Sequence, residues 1–177
     1  MEMRRGLIHI YCGDGKGKTS AAVGLAVRAV GHGFRVGVVQ FLKDGDSGEL
    51  APLAAFPGVQ ILSGKRVKGF TFSMTAEEKA QVRAGQDDYL RRAAAWCGQD
   101  LCDLLVLDEA VGAVNLGMLD RALLLDFLRN KPVGVEVVLT GRDPDDELLG
   151  LADYVSEIRK VKHPYDRGVK AREGIEF

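Results

Sequence analysis

Eight residues near the start of the chain, Gly13-Asp14-Gly15-Lys16-Gly17-Lys18-Thr19-Ser20, restrict the fold more than any other feature. They separate an apolar run at 7–12 from a helical pattern at 18–30, the setting in which α/β proteins hold phosphate. Glycines let backbone N–H groups converge on phosphate oxygens. Lys18 neutralises charge, and the Thr19 hydroxyl is of the kind that ligates Mg²⁺. The common spacing places a glycine five positions before Gly17, where Cys12 stands; Gly13 comes one residue late, so the loop is a variant. A dinucleotide fingerprint is excluded, because its third glycine would fall on Lys18.

The rest of the chain repeats the strand–helix alternation. Apolar runs at 7–12, 36–42, 59–62, 104–107 and 135–139 predict strands, with a weaker one at 154–161. Several are apolar throughout, which suits parallel strands covered on both faces. Helices are expected at 18–30, 76–97, 119–129 and 145–151, the second opened by a capping box of Thr75 with Glu78. The fold class is therefore α/β with a mainly parallel sheet, in one domain over residues 1–177. Residues 44–58 read as loop. The basic tail 159–172, with six Lys/Arg and His163, reads as solvated surface, and contact with an anionic ligand is its minority reading.

Composition narrows the functional classes. With 24 Lys+Arg against 25 Asp+Glu the net charge is −1, which removes the usual argument for nucleic-acid or membrane-surface binding. No apolar run approaches the roughly 18 residues of a membrane span, and the N-terminal stretch is too short for a signal peptide. Three cysteines, Cys12, Cys97 and Cys102, form no paired framework and predict buried thiols in a reducing, cytoplasmic setting. The glycine count of 22 exceeds the roughly 12 expected from average usage, an excess that belongs to turns and close backbone approaches.

A second element complements the loop. The run at 104–107 ends in Asp108-Glu109, two acids at the carboxyl tip of a buried strand, where open α/β sheets bind ligands. Asp108 or Glu109 can meet a Mg²⁺ held by Thr19. A GTP-binding switch is argued down, since the chain's Asn130-Lys131 is followed by Pro132-Val133 rather than x-Asp, and protein-kinase motifs are absent. An ATP-binding domain remains, in which Glu109 could activate water for hydrolysis.

The residues then resemble the P-loop type of ATP:corrinoid adenosyltransferase. The likeness runs through Gly13–Thr19, Arg28-Ala29-Val30-Gly31-His32-Gly33, Val36-Gly37-Val38-Val39-Gln40-Phe41, Gly69-Phe70-Thr71-Phe72 and Val106-Leu107-Asp108-Glu109. It continues through Leu139-Thr140-Gly141-Arg142, Ala152–Glu157, Lys162-His163 and the closing Gly168-Val169-Lys170-Ala171 and Gly174-Ile175-Glu176-Phe177. The variant loop spacing is that family's own form. The resemblance implies a three-layer RecA-like P-loop fold and transfer of the 5′-deoxyadenosyl group of ATP to cobalt(I) of a reduced corrinoid, with triphosphate leaving. It further implies Mg²⁺ or Mn²⁺, an electron donor such as a flavoprotein reductant, and a homodimer. This sequence departs from the family at two points. Longer members carry an extra N-terminal helix over the site, where Met1–Arg5 stand here, and the second aromatic of the Phe-Thr-aromatic motif is often Trp but is Phe72 here. The hydrolytic alternative stays open at this point.

On that reading cobalt(I) is itself the nucleophile, so the protein must orient ATP and stabilise the leaving triphosphate. Lys18, Phe70, Phe72 and Glu109 are the candidate catalytic residues. Gly13, Asp14, Gly15, Lys16, Gly17, Lys18, Thr19, Ser20, Arg28, Gln40 and Arg142 are candidates for nucleotide binding, and Thr19, Asp108 and Glu109 for the metal. Phe70 and Phe72 read from pattern alone as a half-buried strand; the resemblance makes them a flap beneath the corrin. Arg28 lies in an otherwise apolar helix, where a stem laid along the surface is its bland account. On the adenosyl-transfer reading the 5′ carbon must face the corrinoid, so ATP is expected to lie in an unusual sense along the loop. Lys18, at the mouth of the loop, is expected to be solvated without ligand.

Overall fold

The structure is a computed structural model that describes residues 5–43, 45–64 and 74–176. The described strands are β1 (Ile8–Cys12), β2 (Val36–Gln40), β3 (Val59–Ser63), β4 (Leu104–Asp108), β5 (Glu136–Thr140) and β6 (Tyr154–Glu157). The helices are α1 (Lys18–Gly31), α2 (Leu50–Ala54), α3 (Ala76–Gly98), α4 (Ala110–Asn115), α5 (Arg121–Asn130) and α6 (Asp146–Leu151), with a 3₁₀ turn at Pro164–Arg167. Strands pair in the order β3-β2-β4-β5-β1-β6, every pair parallel.

Period-two side-chain alternation divides the core into two layers. On one face Val36, Val38, Leu104, Val106 and Val138 meet Ala22, Ala26 and Ala29 of α1 and Leu53 of α2. The three alanines keep α1 close to the sheet, and so bring its N-terminus to the strand tips. On the other face Ile8, Ile10, Val39, Leu105, Leu107, Val137 and Leu139 meet α3, α4, α5 and α6 through Leu90, Val111, Leu124 and Leu148. The result is the three-layer arrangement of a RecA-like P-loop fold. Strands β2 and β4, each flanked by strands on both sides, are buried at every position, including the polar Gln40 and Asp108 at their carboxyl ends.

Element boundaries move by a few residues from the expected ones. The capping box opens α3 as expected, with Thr75 Oγ1 accepting from Glu78 N at 3.1 Å and Glu78 Oε2 accepting from Thr75 N at 2.7 Å. Helix α5 starts at Arg121 rather than Leu119, because the Asp120 side chain caps it by accepting from Leu123 N. The stretch expected to be loop at 44–58 contains α2, and α4 follows β4 where no helix was expected. Strand β6 ends at Glu157 rather than at 161, since the chain there bends over the glycine-rich loop. Among the described residues no helix is long and apolar enough to cross a membrane, and Cys12, Cys97 and Cys102 are buried free thiols.

Candidate active site

Four strand tips converge at the carboxyl edge of the sheet. Strand β1 leads into the loop and α1, β4 delivers Asp108 and Glu109, β5 ends in Thr140-Gly141-Arg142, and β2 ends in Gln40 ahead of Lys43.

The loop is braced by the chain that follows β6. Gly13 holds φ +102, and a Cβ there would lie 2.4 Å from the carbonyl oxygen of Ile158. Glycine is thus demanded twice, by conformation and by contact, which explains why it stands one position late in the motif. Gly15 N–H donates to Ile158 O at 2.8 Å, and Asp14 Oδ1 accepts from Lys160 N at 2.8 Å. That backbone hydrogen bond holds the exposed Asp14 carboxyl below its ordinary value. Gly17 caps α1 without a side chain, so the first-turn N–H groups of a fourteen-residue helix face the loop's concavity.

Lys18 is not solvated, contrary to expectation. It is 9% exposed, and its ammonium donates to Gly13 O and Gly15 O, both at 2.8 Å, curling the side chain back over its own loop. Burial, with Arg142 as a smaller contributor, pushes its pKa below the usual lysine value. An arriving anion would restore the lost solvation. Lys16 is exposed and donates to Glu176 Oε1 at 3.0 Å.

Asp108 is the best-connected group. Its Oδ1 accepts from Thr19 Oγ1 at 2.8 Å and from Thr140 Oγ1 at 2.7 Å, while Oδ2 lies 2.7 Å from Lys43 Nζ. Glu109 caps α4 in a left-handed conformation, φ 60, and its N–H donates to Thr140 Oγ1 at 2.8 Å. Burial and the neighbouring Asp108 charge raise its pKa, with Lys43 and Lys18 opposing. The set Thr19, Asp108 and Glu109 is all oxygen, as a hard divalent cation prefers. Among the described residues no cluster of three or more His, Cys, Asp or Glu forms. These residues fit Mg²⁺, which is commonly held by one or two carboxylates and completed by substrate phosphates rather than by a protein cage.

Among the described residues, two cavities flank the loop. One of about 210 Å³ brings together Lys18, Thr19, Glu109, Arg142, His163 and Glu176. Another of about 720 Å³ lies along α1 from Thr19 to Gly24 and reaches Lys43, Glu49 and Ile175. Gly13–Ser20, Asp108, Glu109 and Arg142 are thereby gathered at one edge. Gln40 is buried beside them, its Nε2 donating to Glu49 Oε1 at 2.7 Å and its Oε1 accepting from Ser63 Oγ at 3.4 Å. Arg28 is not brought to the loop. It is exposed and ten residues along α1 from Lys18, about 15 Å at helical rise. Phe70 and Phe72 lie outside the described residues.

Sequence reasoning missed Lys43, Thr140 and Glu176. A lysine closing a buried apolar run at the carboxyl edge was a usable signal for Lys43, as was a hydroxyl at a strand tip for Thr140. Glu176 lies beyond the basic tail, in the closing stretch Gly174–Phe177 that carried the family likeness without a site role. That closing stretch returns to the loop, with Ile175 and Glu176 lining both cavities.

A family model described as ATP:corrinoid adenosyltransferase BtuR/CobO/CobP matches residues 4–177. The chain is 37% identical over 177 residues to the corrinoid adenosyltransferase of Escherichia coli K12, covering 98% of this chain and 86% of that protein. It is 38% identical over 177 residues, with the same coverage, to the corrinoid adenosyltransferase CobA of Salmonella typhimurium. With the Pseudomonas aeruginosa corrinoid adenosyltransferase it shares 37% identity over 180 residues, covering 98% of this chain and 84% of that one. On a match that runs from the glycine-rich loop to the C-terminal tail braced against it, the chain belongs to the ATP:corrinoid adenosyltransferase family.

Proposed function

We propose that the chain transfers the 5′-deoxyadenosyl group of ATP to the cobalt of a cobalt(I) corrinoid and releases triphosphate. The observation that carries this reading is the 2.8 Å bond from Thr19, the hydroxyl of the phosphate loop, to Asp108 at the tip of β4, in a chain of this family. Reduced cobalt carries its own electron pair and no proton, so no general base is required. The protein's tasks are then orientation and charge. Lys16, Lys18, Arg142 and the first-turn amides of α1 receive the triphosphate, whose departure they favour by stabilising the charge that develops on it. Thr19 and Asp108, with Glu109, would hold Mg²⁺, which when bound neutralises the polyphosphate. ATP lies with its 5′ carbon turned away from the loop toward the corrinoid. An electron donor that supplies cobalt(I), a homodimeric assembly and a cytoplasmic location complete the reading, the last in keeping with three unbridged thiols.

Hydrolysis is the competing reading, and the half-buried Glu109 on the cavity shared with Lys18 and Arg142, its pKa raised by burial and by the Asp108 charge, is the feature in its favour. The two readings differ in the bond broken. Incubation with ATP, Mg²⁺ and chemically reduced corrinoid should give a light-sensitive alkylcobalt spectrum and stoichiometric inorganic triphosphate by phosphorus NMR, with negligible turnover when corrinoid is omitted. Steady phosphate release without corrinoid, abolished by Glu109→Gln, would establish hydrolysis instead.

A further inference from the structure

Lys43 is a half-buried cation standing where the site calls for a metal. Its ammonium is 2.7 Å from Asp108 Oδ2 and 3.5 Å from Glu49 Oε1, and the Asp108 side chain is only 2% exposed. The contact is set from both chains of atoms. Phe41 N–H donates to Asp108 O at 3.0 Å, tying the end of β2 to the end of β4, and Leu42 turns the backbone at φ 60 directly before Lys43. A leucine held in the left-handed region is strained, and such strain persists only where its surroundings impose it. Asp108 Oδ1 thus accepts from two hydroxyls, while the buried Oδ2 accepts no hydrogen bond and is met only by the Lys43 ion pair. A divalent cation approaching the same oxygens would meet a positive charge less than 3 Å from one of them. Lys43 also lines the 720 Å³ cavity with Thr19, Ser20 and Glu49, which gives its ammonium room to leave Asp108 for a phosphate oxygen while Glu49 remains a neighbour.

We propose that Lys43 is a positioning residue that neutralises Asp108 until a polyphosphate arrives to take the ammonium, and only then releases it to a divalent cation. This rests on the reading of Asp108 as a metal-facing carboxylate. Metal and polyphosphate then bind as a coupled pair, each raising the affinity for the other by the same factor. The metal alone is held off by Lys43, and the polyphosphate alone is attracted by it. An ammonium that merely stabilised the fold would have neither effect.

The test uses the whole chain, Mn²⁺ as probe followed by electron paramagnetic resonance of the free ion, and inorganic triphosphate followed by calorimetry. Lys43→Met should bind Mn²⁺ alone about tenfold or more tightly than the unaltered protein, and metal-free triphosphate more weakly, so that the coupling between them shrinks. Lys43→Arg, which keeps the charge, should retain most of the coupling. If Lys43→Met fails to fold by circular dichroism, Lys43→Gln keeps a donor for Asp108 and must show the same two opposed shifts. Folded variants that bind Mn²⁺ alone no better than the unaltered protein overturn the role of Lys43. Failure of the unaltered protein to bind Mn²⁺ even with triphosphate would instead overturn the metal reading of Asp108.

Discussion

Thr140→Val tests how the acidic strand tip is held. Thr140 is fully buried, and its hydroxyl works in both directions: it donates to Asp108 Oδ1 at 2.7 Å and accepts from Glu109 N–H at 2.8 Å. Valine has the same shape, so no cavity opens, and the cost is that of the two hydrogen bonds. Losing a bond to an ionised carboxylate costs about 1.5–3 kcal/mol, and leaving the Glu109 N–H unpaired costs about 1–3 kcal/mol. Asp108 keeps Thr19 and Lys43 as partners, which favours the lower part of the combined range, roughly 3 kcal/mol. At about 2–4 °C per kcal/mol for a chain of this size, the melting temperature should fall by roughly 6–12 °C. Urea unfolding should show a lower midpoint with an unchanged slope. Thr140→Ser is the control: it keeps both bonds, loses a methyl group, and should cost only about 1 kcal/mol. A valine variant within 1 kcal/mol of the parent, or a serine variant worse than the valine one, would refute the argument.

Three further outcomes follow from the loop and its surroundings. Lys18→Ala should abolish ATP binding by calorimetry and also lower stability by about 1 kcal/mol, because Lys18 holds the Gly13 and Gly15 carbonyls of its own loop. Glu109→Gln should stabilise the ligand-free protein at pH 7 and leave it unchanged at pH 3. The raised pKa of Glu109 means the folded state binds more protons than the unfolded chain, so its destabilising contribution appears as pH rises from the ordinary carboxylate range through the folded value. Urea midpoints measured across that interval should converge at the acid end, and parallel curves would contradict the assignment. Gly13→Ala must place a methyl group 2.4 Å from Ile158 O at φ +102, with strain of about 1–3 kcal/mol before any clash. Lowered thermal stability together with lost ATP binding is expected, and retention of both would mean that the segment after β6 does not brace the loop.

How much could be read in advance depended on the range of the interaction. The loop, the buried run of β4 and the capping box of α3 are local patterns, and each lies in the structure close to where its residues implied. Helix α4 has six residues, too few to display a helical period, and α2 carries Pro52 within its five, so neither announced itself. The candidate site divides in the same way. Thr19 and Asp108 were legible because each closes a recognisable strand or loop. Their 2.8 Å bond, however, joins residues 89 positions apart. Lys43 and Thr140 acquire their roles only from what the sheet order sets beside Asp108. The bracing of Gly13 and Gly15 by Ile158 explains a glycine spacing that looked anomalous in the motif alone, since a backbone contact over such a separation leaves no trace in either segment. Lys18 was misjudged for a related reason: its solvation was inferred from position, while two carbonyls of its own loop satisfy it.

The strand order has a consequence for synthesis. Strand β1, the first to be made, pairs only with β5 and β6, in registers such as Ile8 with Val137 and His9 with Tyr154. During translation it therefore waits without sheet neighbours while β2, β3 and β4, which pair among themselves, are already complete. The glycine-rich loop waits longer still, until Ile158 has emerged to brace it. Closing contacts of such separation carries the loop-entropy cost that slows folding, and leaves an apolar strand exposed in the interval. Nucleotide cannot act as a scaffold for the growing chain, because the cradle that would receive it is the last part of the sheet's edge to be assembled. Premature termination between residues 20 and 158 should thus release a polypeptide that carries the whole glycine-rich motif without the segment that braces it.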